Sequence, residues 1–188
     1  NRAWLYLEAE EWEKAAEDLG SLLQITENQG STNNVFQYWL EKGTAEFGAG
    51  RIAEAEKSFN KIPNDARAQN NLGNIAWKQK RNAVAADHFE QAIKDEKNTT
   101  ALRNLGAVRQ ELKQYPEALE AYRAYHGLVP ADSDIRDLVE SLEEYLKPDP
   151  IPEPDPEPVA QVEPEPEPVA QVELEPEPEP VVIVEPPT

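Results

Sequence analysis

His88 and His126 are the side chains best suited to proton transfer near neutral pH in this 188-residue chain. They lie far apart, each beside an aromatic residue (Phe89 and Tyr125), and neither has a carboxylate or nucleophile at the spacing of a catalytic triad or a metal site. Both read as packed or solvated helix residues. The acidic runs Glu8 to Glu13 and Glu140 to Glu144 could attract cations by charge. Calcium, however, needs oxygen ligands presented from a glycine-containing loop, so these runs read as solvated helix faces. With no cysteine, the chain has no thiol nucleophile, no thiolate metal site and no disulfide. It also lacks a glycine-rich phosphate loop. The expectation is therefore a protein that is not an enzyme and uses no cofactor or metal.

Charge narrows the choice of partner. The net charge is −19, and from Pro148 to the end there are 12 acidic residues and neither Lys nor Arg. The first 147 residues thus hold 25 acids against all 18 bases. Neither part clusters the cations that neutralise phosphates, which argues against nucleic acid and anionic membrane surfaces as partners. The longest purely apolar runs, Ala3 to Leu7 and Val181 to Val184, are far below the roughly 20 residues that span a bilayer, so no membrane insertion is expected in this segment. Asn1 falls within a helical pattern, so the chain start reads as a processing boundary, with a signal or anchor upstream left open.

The elements that position any site repeat along the chain. Gly43 is followed by Ala55 and Phe59, Gly73 by Ala85 and Phe89, and Gly106 by Ala118 and Tyr122, with the same offsets each time. Ala3, Ala15 and Leu19 form a degenerate fourth copy. Apolar residues recur at helical intervals on either side of Ala49-Gly50-Arg51, Lys80-Arg81 and Lys113-Gln114, so each unit reads as two helices joined by a tight turn seven residues after the small residue. The glycine should let the second helix approach closely. Pro63-Asn64-Asp65, then Thr99 and Thr100, then Asp132 and Ser133 after Pro130 should end one helix and cap the next. Pro116 falls in a first turn, where its missing N–H costs little. Asp134 to Leu146 places Ile135, Leu138, Val139 and Leu142 on one side, as a capping helix would. Thr26 to Asn34 is polar and reads as a loop.

These residues resemble the tetratricopeptide repeat (TPR) family. Leu102 to Pro130 carries Leu105-Gly106, Tyr115, Ala118, Tyr122 and Pro130 in the signature places. Asn70 to Ile93 matches through Leu72-Gly73, Ala85, Phe89 and Ala92, with Lys97 where a proline is usual. Tyr38 to Pro63 keeps Trp39, Gly43, Gly50, Ala55 and Phe59, but has Lys42 in place of leucine and a shortened second helix. The resemblance implies an all-α, helix-turn-helix solenoid over residues 1–147: a partial repeat at 1–25, repeats at about 35–63, 66–97 and 99–130, and a capping helix at 133–147. It further implies a concave groove that binds a protein or peptide partner. Its lining would be Gln37, Leu40, Glu41, Thr44 and Phe47, then Arg67, Asn70, Asn71, Asn74 and Trp77, then Arg103, Asn104, Ala107 and Gln110. Asparagine amides there would both donate to and accept from an extended peptide backbone, while Phe47 and Trp77 would hold an apolar side chain. Trp77 has a second reading as a core residue. The carboxylate clamp by which some family members hold acidic chaperone C-termini is not expected. Leu40 and Thr44, or Asn70 and Thr100, stand where its basic residues or asparagine would be needed.

Residues 148–188 are low in complexity, and EPVAQVE occurs at Glu157 and again at Glu167. Alternating proline blocks helix and sheet ladders, and like charges repel, so a disordered, extended tail is expected, reaching at most ~130 Å at ~3.1 Å per residue. Its Glu-Pro run resembles the spacer of TonB-type periplasm-spanning proteins, without the Lys-Pro block usual there. That resemblance favours a periplasmic or cell-envelope setting over the cytoplasm, and a structural spacer is the alternative to an adaptor. A plain solubilising linker is the simplest reading of the tail.

Overall fold

A computed structural model describes residues 2–94 and 98–148. The tail beyond Pro148, and Lys97, lie outside the described residues. Within them the chain is all helix: α1 (Arg2–Glu8), α2 (Trp12–Asn28), α3 (Val35–Gly48), α4 (Ile52–Phe59), α5 (Ala66–Lys78), α6 (Asn82–Ala92), α7 (Thr99–Glu111), α8 (Tyr115–Leu128) and α9 (Ser133–Tyr145). Each helix packs mainly on its neighbours in sequence, and the first helices of successive pairs, α3, α5 and α7, also touch. This is the expected helix-turn-helix solenoid, with α9 laid against α8 at its end.

The repeated small residues explain the pairing. A Cβ at Gly43 would lie 2.6 Å from Phe59, one at Gly73 2.6 Å from Phe89, and one at Gly106 2.5 Å from Tyr122. The space left by glycine is filled by the ring sixteen residues later, which is more specific than the close helix approach expected from sequence. Phe59 and Phe89 are fully buried, and burial of each ring contributes about 2–3 kcal/mol. In the first pair Leu19 replaces the ring, and Ala3 keeps its Cβ. The alanines of the motif, Ala15, Ala55, Ala85 and Ala118, are all buried.

The turn is equally regular. The seventh residue after each small residue has positive φ: Glu10 at 55°, Gly50 at 75°, Lys80 at 61° and Lys113 at 60°. Only one of these is glycine, so the other three carry the strain of a left-handed conformation.

Some boundaries differ from the sequence reading. α2 runs three residues into the expected loop, through Asn28, and Thr26 Oγ1 donates back to the carbonyls of Leu22 (3.0 Å) and Leu23 (2.8 Å). The cap of α7 is Asn98, not Thr99 or Thr100. Its Oδ1 accepts from Ala101 N–H at 3.1 Å while its amide donates to the Ala66 carbonyl at 3.3 Å, tying the starts of α7 and α5 together. Asp65 and Asp132 cap α5 and α9 as expected, Pro116 sits in the first turn of α8, and α4 is short, at 8 residues.

Lys42 occupies the leucine place without an apolar partner set. Its ammonium pairs with Glu46 one turn on and reaches Ser58 Oγ at 3.3 Å, and Ser58 Oγ donates to the other Glu46 oxygen at 2.5 Å. In the next pair the place of Ser58 is taken by His88, whose Nδ1 lies 2.8 Å from Gln69 Oε1; the Gln69 amide donates to the Pro63 carbonyl at 2.6 Å. That assigns the ring proton to Nδ1, and burial lowers the pKa of the imidazole.

Candidate functional site

The first helices lie side by side, so one face of α5 borders both α3 and α7. Asn70 and Asn74 are one turn apart on α5, and Asn104 on α7 reaches across to both: its amide donates to Asn74 Oδ1 at 3.0 Å and to Asn70 Oδ1 at 3.4 Å. Three of the sequence-derived residues therefore meet in one hydrogen-bonded group. Each of them is only half-buried. Asn71 is also half-buried, and makes no side-chain hydrogen bond among the described residues. Its positional counterparts are occupied, Asn104 as above and Glu41 by Trp4 Nε1 at 2.9 Å and Gln37 Nε2 at 2.6 Å.

Beside this group lies a hollow of about 510 Å³ lined by Phe47, Asn74, Trp77, Lys78, Lys80 and Glu111. A second, of about 330 Å³, takes in Trp77, Arg103, Asn104, Ala107 and Tyr122 and is closed by Asp134, Ile135 and Leu138 at the start of α9. Trp77 borders both. It also packs edge-on against Phe89, with centroids 6.3 Å apart and planes at 89°, so it rests on the core while bordering both hollows. Phe47 leans on the core of the second pair, and Lys78 Nζ stands 4.4 Å above its ring centroid.

Apart from Arg103 and Ala107, which line the second hollow, the other expected lining residues border neither hollow. Leu40 is 7% exposed, packed in a cluster with Ala55, Phe59 and Leu72, and so belongs to the core instead of the groove. Glu41 is likewise buried, and Thr44 is exposed but turns its hydroxyl back to the Leu40 carbonyl at 2.9 Å. Arg67 is exposed and pairs with Asp65 at 2.8 Å, also reaching Gln37 Oε1 at 3.3 Å. Gln110 accepts from the Tyr122 hydroxyl at 3.3 Å. Arg103 is exposed, with no carboxylate within salt-bridge distance among the described residues. Lys78, Lys80 and Glu111 were missed by the sequence reading. Lys78 was findable, since it follows Asn74 by four residues and so shares its face.

No group of side chains suited to a metal ion occurs among the described residues. His88 and His126 sit on α6 and α8, away from the hollows just described. No helix among the described residues is long and apolar enough to cross a membrane.

The family model for the tetratricopeptide repeat matches residues 40–99 and 70–133, together half of the chain. Comparison with curated proteins finds no match. Among solved structures, the crystal structure of MamA is 18% identical with a TM-score of 0.64, covering 77% of this chain and 84% of that one. YrrB, described as a TPR protein with an unusual peptide-binding site, is 18% identical with a TM-score of 0.59, over 76% of this chain and 73% of its own. The first TPR of Spaghetti (RPAP3), bound to the HSP90 peptide SRMEEVD, is 23% identical with a TM-score of 0.53, over 59% and 92%. These likenesses establish the fold.

Proposed function

The chain belongs to the tetratricopeptide repeat family, and on that premise we propose that it is a non-enzymatic scaffold whose groove, along α3, α5 and α7, binds an extended segment of a partner protein. The observation that carries this reading is the meeting of a polar row with an aromatic hollow. Asn70, Asn74 and Asn104 form a pre-set amide group beside a hollow of about 510 Å³ walled by Phe47 and Trp77. That volume falls in the usual range for ligand pockets, about 300–1,000 Å³. Amides can follow a peptide backbone without demanding one side-chain sequence, and the rings supply an apolar anchor. Asn71, with its amide unengaged, is the residue most ready to take a backbone hydrogen bond. Two structural neighbours carry peptide binding in their descriptions, which supports the same use of the fold here.

Affinity capture with wild type and with an Asn71→Ala, Asn74→Ala, Asn104→Ala variant tests the reading, once circular dichroism has shown the variant to be as helical as wild type. Selective loss of at least one partner is expected. Equal recovery of every partner removes the groove from the account.

A second reading rests on the composition of residues 148–188, whose Glu-Pro repetition resembles an envelope spacer of the TonB type. On this reading the folded unit is a mount in the periplasm or cell envelope and the tail supplies reach. Shortening the tail at constant composition should then impair function in proportion to length, whereas an adaptor working through the groove tolerates its deletion.

A further inference from the structure

The hollow between α3 and α5 differs in charge from the rest of the folded unit. Up to Lys147 acids outnumber bases 25 to 18, yet Lys78 and Lys80, which both line this hollow, have no carboxylate within salt-bridge distance among the described residues. Lys78 instead rests 4.4 Å over the ring of Phe47. The hollow also holds one carboxylate, Glu111 of α7, which accepts from the Asn82 amide at 2.8 Å, so its lining carries two cations against one anion. On the far side of Trp77, Arg103 has no carboxylate within salt-bridge distance among the described residues, although its charge acts on Asp132 and Asp134 lines the same hollow. Arg81, next in sequence to Lys80, is by contrast matched with Glu56 at 2.9 Å.

Resting on the groove as the binding surface, we propose that it selects an acidic segment: a bulky apolar side chain enters between Phe47 and Trp77, and flanking carboxylates are received by Lys78 and Lys80. The arrangement differs from the chaperone-tail clamp, whose positions here hold Leu40, Thr44, Asn70 and Thr100. The carboxylates are instead met at the C-terminal end of α5, beside the aromatic hollow. Asn74, on the same lining, is placed to hold the intervening backbone. A carboxylate is a stronger partner for the Lys78 ammonium than the quadrupole of Phe47, so the ligand would draw that side chain off the ring and uncover an aromatic face. Lysines near a helix C-terminus are also favoured by the helix dipole alone, so the experiment must read ligand choice and not stability.

A displayed random-peptide library selected on the full-length chain supplies that readout. The expected winners carry a large apolar residue next to Asp or Glu, bind less well as salt is raised, and lose at least about tenfold in affinity on a Lys78→Glu, Lys80→Glu variant of unchanged helicity. Winners that are neutral or basic, bind both proteins equally, yet fail on the Asn71→Ala, Asn74→Ala, Asn104→Ala variant would overturn the acidic preference and leave the groove standing. Winners insensitive to both variants, or no enrichment at all, would overturn the groove and the preference together.

Discussion

Glu46 is 3% exposed, and its carboxylate is shared between Lys42 and Ser58. Removing one partner of such a group leaves a buried charge uncompensated, whereas replacing both by apolar residues removes the desolvation cost as well. Glu46→Ala is therefore expected to cost about 2–4 kcal/mol by urea denaturation, and a Lys42→Leu, Glu46→Ala double variant to recover most of that loss. A double variant no better than the single would show that the network stabilises beyond its own pairing. His88 gives a prediction in pH. Burial lowers its folded pKa below the ordinary 6.5, so the unfolded chain binds the proton more readily and stability rises with pH across that interval. The contribution is complete above about 6.5 and is lost as pH falls through the folded value. His88→Gln should flatten the urea midpoint between pH 7 and 5, while an undiminished slope would assign it to other groups. Asp132, lowered by its bonds to the Tyr125 hydroxyl and the Ile135 N–H, acts in a separate window, below its ordinary 3.8.

At the scale of the helix pair, glycine has three different roles that substitution should separate. Gly73→Ala and Gly106→Ala gain about 1 kcal/mol of helix propensity but drive a Cβ to 2.6 and 2.5 Å from the rings of Phe89 and Tyr122, so a net loss of about 1–2 kcal/mol is expected in thermal melts. Gly20 sits mid-helix in α2 with only Lys42 Cε near, at 3.6 Å, and Gly20→Ala should stabilise by about 0.5–1 kcal/mol. Gly50 holds a left-handed turn at φ 75°, and Gly50→Ala should cost about 1–2 kcal/mol, while Lys113→Gly should gain about 0.5–1. The fold was legible because these offsets repeat: small residue, turn at seven, alanine at twelve, ring at sixteen. Boundaries were less so, since Asn98 and Thr99 are both competent caps by type and only the bond from Asn98 to α5 decides between them. Lys42 looked like a defect in the motif because the partners that satisfy it, Glu46 and Ser58, come from two different helices.

Across the whole folded unit, the groove was half legible. Asn70, Asn74 and Asn104 share a face at helical spacing and do meet, whereas Leu40 sits at an equivalent place and is buried. The difference lies in the neighbouring turn of chain, since Leu40 meets Phe59 and Leu72 across α3, α4 and α5, a contact that no single-helix pattern encodes. Lys78 and Lys80 escaped for a related reason: they gain meaning only when Phe47, about thirty residues earlier, is brought beside them by the stacking of pairs. The stack thus brings together, around one hollow, residues that are unremarked one unit at a time. In-cell photo-crosslinking from position 71, half-buried on α5, compared with position 120, exposed on α8, tests the proposed groove most directly. The account predicts partner adducts from the residue replacing Asn71 and none from that replacing Glu120; adducts only from position 120 would contradict it.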